Sequence, residues 1–142
     1  MAYIDSEHLR PWIEQGRVSV GDVRLCREFH DHLLSLRWLP SRLDWEGLRF
    51  DELDLTNADR EQLAGRVSRA RIGQHRDLLV MYTPDEPGLC CDRDLAVDNL
   101  DYLYWKAPGY RYLCGVDIDS GGFVTDPGDF AETDGTRLRM VL

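Results

Sequence analysis

Lysine is almost missing from this chain: Lys106 stands alone beside sixteen arginines. Positive charge is scarce as a whole, with 17 basic against 26 acidic residues and a formal net charge of −9. That balance argues against a nucleic-acid partner, because neutralising a phosphate backbone takes clustered Lys and Arg. Long apolar runs are missing too. The longest clean one covers residues 78–82, far short of the ~20 residues a membrane helix needs, so no membrane segment is expected. The opening Met1-Ala2-Tyr3-Ile4-Asp5-Ser6-Glu7 has neither a basic nor an apolar region of the secretory kind. There are only four cysteines, Cys26, Cys90, Cys91 and Cys114, without the spacing of a disulfide framework. Reduced thiols in a cytoplasmic protein are the expectation. Also absent are a Gly-rich phosphate loop, a dinucleotide fingerprint and a Gly-x-Ser-x-Gly elbow.

What is present suits one globular domain over residues 1–142. Hydrophobic residues make up 43% and aromatics 10%, enough to build a core at this length. No repeat, low-complexity run or Gly/Ser linker divides the chain. Charge does divide it. Residues 1–76 carry 12 basic and 13 acidic groups, whereas residues 77–142 carry 5 and 13, so nearly all the excess negative charge lies in the second half.

The first half has helical periodicity. A short segment around residues 11–15 places Pro11 in a first helical turn. Ser19 is the expected cap of a long helix to about residue 37, on which Cys26, Phe29, Leu33 and Leu36 share a face opposite Arg24, Arg27, Glu28 and Asp31. Pro40 ends it. Residues 42–55 fit a strand pair or an irregular wrap. Thr56-Asn57-Ala58-Asp59 has the spacing of a capping box, followed by Leu63, Ala64, Val67 and Ala70 on a second helix to about residue 71.

The second half has strand periodicity. Residues 78–82 form an apolar run closed by Pro84 and Pro87, as in an interior strand. Residues 94–103 fit a helix on Ala96, Leu100 and Leu103, or a strand on Leu100, Tyr102 and Tyr104. Tyr110, Tyr112, Cys114, Val116 and Ile118 alternate with Arg111, Leu113, Gly115, Asp117 and Asp119, a half-buried strand pattern. Asp119-Ser120-Gly121-Gly122 supplies a turn and Phe123-Val124-Thr125 a returning partner. Leu138, Met140 and Leu142 mark a last strand after the Asp134-Gly135 turn. The expected architecture is α+β, with N-terminal helices packed on one side of a mainly antiparallel C-terminal sheet.

Candidate chemistry is sparse. Cys26 and His30 stand four apart and could share a metal ion, but His32 splays from His30 by ~200° on a helix. Adjacent Cys90 and Cys91 lack the spacer of a structural zinc site. As nucleophiles, Cys26 and Cys114 fall on apolar faces, and only Cys90 or Cys91 is expected in a loop. Asp117 and Asp119 share a strand face where a cation could sit. A calcium loop counted from Asp117 has Gly122 at its sixth position but Gly128 where the twelfth calls for Glu. Arg60, Arg66, Arg69, Arg71 and Arg76 form a basic stretch, expected on the exposed side of the second helix and paired with acidic groups of the second half. No catalytic residue, metal ion or cofactor is assigned.

The richest segment runs from residue 92 to 119, where Tyr102, Tyr104, Trp105, Tyr110 and Tyr112 are interleaved with Asp98, Asp101, Asp117 and Asp119. Tyr and Trp make binding hot spots, and a carboxylate rim steers a basic partner. With Asp98, Asp101, Tyr102, Tyr104, Trp105, Tyr110, Asp117 and Asp119 as its contact residues, the chain resembles bacterial toxin-immunity proteins in size, acidity and layout. That resemblance implies a protein partner with a basic surface, a toxin enzyme domain such as a nuclease, whose active site the chain would block. Two alternatives stay open: a small metal-dependent or cysteine-based enzyme using Cys26, His30, Asp117 or Asp119, and an adaptor subunit of a larger assembly.

Overall fold

Leu78, Leu79, Val80 and Met81 follow one another along strand β3 (Asp77–Met81), and all four are buried. A strand apolar on both faces needs cover on both. The computed structural model, which describes residues 6–100 and 109–142, supplies it. Among the described residues, seven strands form one wholly antiparallel sheet in the order β1-β4-β3-β5-β6-β7-β2. The others are β1 (Val18–Val20), β2 (Phe50–Asp54), β4 (Leu89–Asp92), β5 (Arg111–Asp119), β6 (Gly122–Thr133) and β7 (Arg137–Val141).

Helices α1 (Ser6–Glu14), α3 (Arg60–Arg69) and α4 (Arg93–Asp98), with a 3-10 turn at Arg71–Gln74, cover one face. Leu9, Val67, Ile72 and Leu95 pack there on Leu78, Val80, Leu113, Leu138 and Met140. Helix α2 (Val23–Leu34) and the irregular segment that follows cover the other. Phe29, Leu33, Leu43 and Trp45 meet Leu79, Met81, Cys114 and Phe130 on that side. The fold is α+β, as the sequence suggests, but its sheet is sandwiched rather than covered on one side. It is also not confined to the C-terminal half, since β1 and β2 supply its two edges. β1 is short and β2 carries Asp51, Glu52 and Asp54, devices that discourage edge-to-edge pairing.

Several boundaries differ from the sequence expectation, each for a local reason. Ser19 lies in β1 opposite Cys90, so α2 begins later, capped by the Asp22 carboxylate accepting the Arg24 amide at 2.9 Å. Pro11 sits inside α1 rather than opening it. The capping box of α3 is Asp59 with Gln62, three residues beyond Thr56, because the Asp54 carboxylate already accepts the Thr56 amide and hydroxyl and the Asn57 side chain. Cys90 and Cys91 are not in a loop; they form buried β4. Residues 42–55 hold the irregular wrap, in which Leu43 makes an isolated bridge back to Trp38, and then β2. The helix among residues 94–103 is α4, and residues 101–103 lie outside the described part.

Tyr112, read from sequence as part of an exposed aromatic segment, is buried at 7% exposure. Its hydroxyl donates to Glu132 Oε2 at 2.7 Å and accepts the Leu43 amide at 3.2 Å. Glu132, only 1% exposed, takes Arg139 at 3.0 Å on its other oxygen, and Arg139 continues to Glu52 at 2.7 Å. Burial, then the neighbouring Glu132, pushes the phenol's pKa far above its ordinary value. The network ties β2, β5, β6 and β7 to the 43–45 segment. Tyr112→Phe, which strands the Glu132 carboxylate and the Leu43 amide, should cost about 1–3 kcal/mol in urea unfolding, whereas Phe29→Ala should cost about 3–5 kcal/mol. An unchanged midpoint for Tyr112→Phe would refute the role given to its hydroxyl.

Candidate functional site

Strand β5 leaves cover abruptly: residues 111–116 are buried, and Asp117, Ile118, Asp119 and Ser120 are exposed. At that boundary stands Gly115, and its missing side chain is the reason a site exists. A Cβ at position 115 would lie 2.2 Å from the ring of His75, which rests on the strand at this point. His75 follows the 3-10 turn. Arg93 anchors that turn, donating to the Gly73 carbonyl at 2.7 Å and the His75 carbonyl at 3.1 Å.

Strand β6 completes the surround by a bulge. Cys114 pairs with Phe130 and Gly115 with Asp126, which leaves Pro127, Gly128 and Asp129 without partners in β5. Extra residues in one strand re-aim side chains, and bulges are where Pro and Gly are tolerated within sheets. Here the bulge turns Asp129 onto one nitrogen of His75 while Asp126 stays near the other. Asp129 Oδ2 lies 2.8 Å from Nε2; Asp117 Oδ1 and Asp126 Oδ2 lie 3.1 and 3.7 Å from Nδ1. Arg71 approaches Asp129 at 3.4 Å.

The imidazole side chain is 7% exposed. Burial works against its charged form, but hydrogen bonds to Asp129 and Asp117 and the charges of Asp117 and Asp126 outweigh it, raising its pKa above the ordinary value. Asp117 is held below the carboxylate range by hydrogen bonds with Asp126 and His75. Asp126 is pushed up by its hydrogen bond with Asp117, by burial and by Asp117's charge. The two carboxylates therefore titrate as a coupled pair. His75, Asp126 and Asp129 also offer donor atoms all within 4.8 Å of one another, the one such group of three among the described residues.

Of the contact residues expected from sequence that are among the described residues, Asp117 alone belongs to this cluster. Asp119 caps the hairpin turn, accepting the Gly121 amide at 2.7 Å. Asp98 ends α4 and faces Arg60 at 3.7 Å, and Tyr110 is half-buried against the α2-side core. Tyr110 and Asp119 stand at opposite ends of β5, about 30 Å apart for an extended strand. Asp101, Tyr102, Tyr104 and Trp105 lie outside the described residues.

The basic stretch pairs as expected at Arg60 and at Arg71, which faces Asp129. Arg66 instead grips Asp51 of β2 through two hydrogen bonds. Cys26 donates to the Pro87 carbonyl at 3.5 Å, and His30 stays half-buried on α2. Burial pushes the thiols of Cys26 and Cys90 up to about 11 and about 12, and those of Cys91 and Cys114 further. All four are thus held as thiols at neutral pH, the opposite of what a cysteine nucleophile requires.

His75 itself went unremarked in the sequence. Two signals pointed toward it: a glycine inside the alternating pattern of β5, which marks close approach of another group, and the Asp126-Pro127-Gly128-Asp129 bulge.

Gly115→Ala should displace the ring and destabilise the fold by about 1–3 kcal/mol, with the His75 side-chain NMR signals shifting toward those of a solvated imidazole. Because the folded pKa of His75 is raised, its stabilising contribution is complete below the unfolded value of about 6.5 and is lost as pH rises through the folded value. Urea midpoints in metal-free buffer should therefore fall as pH rises above about 6.5 in the native chain and run flatter in His75→Gln. Parallel curves would contradict the assignment.

No family model, curated protein or solved structure matches the chain.

Proposed function

We propose that the chain is a binding protein of the immunity type, which docks on a basic enzyme domain, a bacterial toxin, and blocks its active site. The observation that carries this reading is the exposed end of the β5–β6 hairpin. Asp117 and Asp119 project on one side of it, and Ile118, 65% exposed, on the other. An exposed apolar side chain at the end of a hairpin edged by carboxylates is the composition of an anchor with a steering rim. Net charge supports it as well, since the surplus of acidic groups is concentrated in residues 77–142 and a field of that sign accelerates encounter with a basic surface.

The contact set read from sequence is retained at Asp117 and Asp119, extended to Ile118, and includes Asp101, Tyr102, Tyr104 and Trp105 outside the described residues. Asp98 and Tyr110 are further from the hairpin end and carry less of the proposal. An interface of ~1,200–2,000 Å² is within the reach of a domain of this size. An adaptor subunit would use the same surface toward a partner that is not toxic, which makes toxicity of the partner the discriminating observation.

Co-expression of the chain should restore growth to cells producing the enzyme domain encoded beside it. With that domain as partner, Asp119→Lys should slow association about tenfold at low salt, and Ile118→Ala should speed dissociation. Normal growth of cells producing the neighbouring protein alone, or association rates insensitive to both the substitution and ionic strength, would overturn the reading.

A further inference from the structure

We propose that His75, Asp117 and Asp126 bind a divalent transition-metal ion, with Asp129 holding the imidazole from its far side. The inference rests on the geometry around His75; it shares Asp117 with the proposed docking surface but is read out by metal binding, which needs no partner.

Nδ1 of His75 faces Asp117 Oδ1 at 3.1 Å and Asp126 Oδ2 at 3.7 Å. Nitrogen and oxygen ligands of a tetrahedral ion, each about 2.0–2.2 Å from the metal, stand about 3.3–3.6 Å from one another, a range that the two distances from Nδ1 bracket closely, and Asp129 joins His75 and Asp126 in a group whose donor atoms all lie within 4.8 Å. The opposite nitrogen is engaged as metal-bound histidines require. Nε2 lies 2.8 Å from Asp129 Oδ2, the carboxylate–histidine–metal arrangement that fixes ring and tautomer and raises ligand basicity. Arg71, 3.4 Å from Asp129 on its other oxygen, offsets the charge of that outer carboxylate.

Charge points the same way. Three carboxylates surround one imidazole, and among the described residues Arg71 reaches one of them, Asp129. A neutral imidazole has one N–H and cannot donate to carboxylates at both nitrogens. A cation at the Nδ1 side offsets the negative charge that the carboxylates concentrate there.

The site is also built before any ion arrives. The ring sits where Gly115 leaves room, on a turn anchored by Arg93, and its partners come from two paired strands and a bulge. Asp117 and Asp126 are about half exposed, which leaves remaining coordination positions open to water. An imidazole with carboxylates favours zinc, manganese, cobalt or nickel over calcium, which takes oxygen ligands.

The test is calorimetric titration of the chelator-treated chain with zinc, manganese and calcium chlorides, with nitrogen NMR of the histidine rings. Expected are one zinc ion per chain, coordination signalled at His75 Nδ1, and calcium bound far more weakly. Asp126→Asn should lower zinc affinity at least tenfold, and Asp129→Asn should lower it about 10-fold through the ring it orients. Circular dichroism confirms folding, and Asp126, half exposed, is the variant least exposed to that risk. Three results overturn the proposal: no zinc binding at millimolar concentration, affinity unchanged in folded Asp126→Asn, or NMR perturbation at His30 or His32 instead of His75.

Discussion

A seven-stranded antiparallel sheet covered on both faces imposes one constraint that organises the rest of this molecule: its central strands must be apolar on both sides for as long as the cover lasts. β3 satisfies it with four successive buried residues, and β5 does so through Val116. Where the covering layers stop, β5 changes character within one residue, from Val116 at 0% exposure to an exposed Asp117. The charged end of the hairpin and the histidine cluster both sit at that boundary. Side chains there can be held by the packed sheet and still reach solvent.

Two groups of acidic residues in the same sheet are handled in opposite ways. Glu132 is buried, yet both its oxygens have partners, Tyr112 and Arg139, and its charge is matched. A buried carboxylate of that kind locks the strands together, since removing any member leaves the others unsatisfied in a low-dielectric interior. Asp117, Asp126 and Asp129 gather around a single imidazole with Arg71 on one of them, leaving negative charge in excess. The first group is structural by its completeness. The second is not matched in charge, and that surplus beside an imidazole is what the proposed cation would offset.

Features governed by neighbours in sequence were legible. Cys26, Phe29 and Leu33 face the core on α2, the alternation of β5 and the run in β3 are strands, and the turns at 119–122 and 134–135 connect hairpins. Features governed by distant partners were not. Ser19 has the chemistry of a helix cap but pairs with Cys90, because Val18 is drawn to a sheet edge. The adjacent cysteines look like a loop between turn residues and are a strand between β1 and β3. β6 continues through Pro127 and Gly128, residues that ordinarily end strands, because a three-residue bulge removes them from the ladder. Tyr112, one ring in an apparently exposed series, is drawn inward by the Glu132 carboxylate.

By itself, then, the sequence determined a single acidic α+β chain, the faces of its main helix and central strands, and a surplus of carboxylates in its second half, because periodicity and charge are local or additive quantities. Only the tertiary structure decided that the sheet is sandwiched, that all four thiols are buried, and that His75 meets Asp117, Asp126 and Asp129 across separations of 42 to 54 residues. That meeting depends on the strand register that sets Gly115 opposite Asp126. Register is a property of paired strands, and no single stretch of chain contains it.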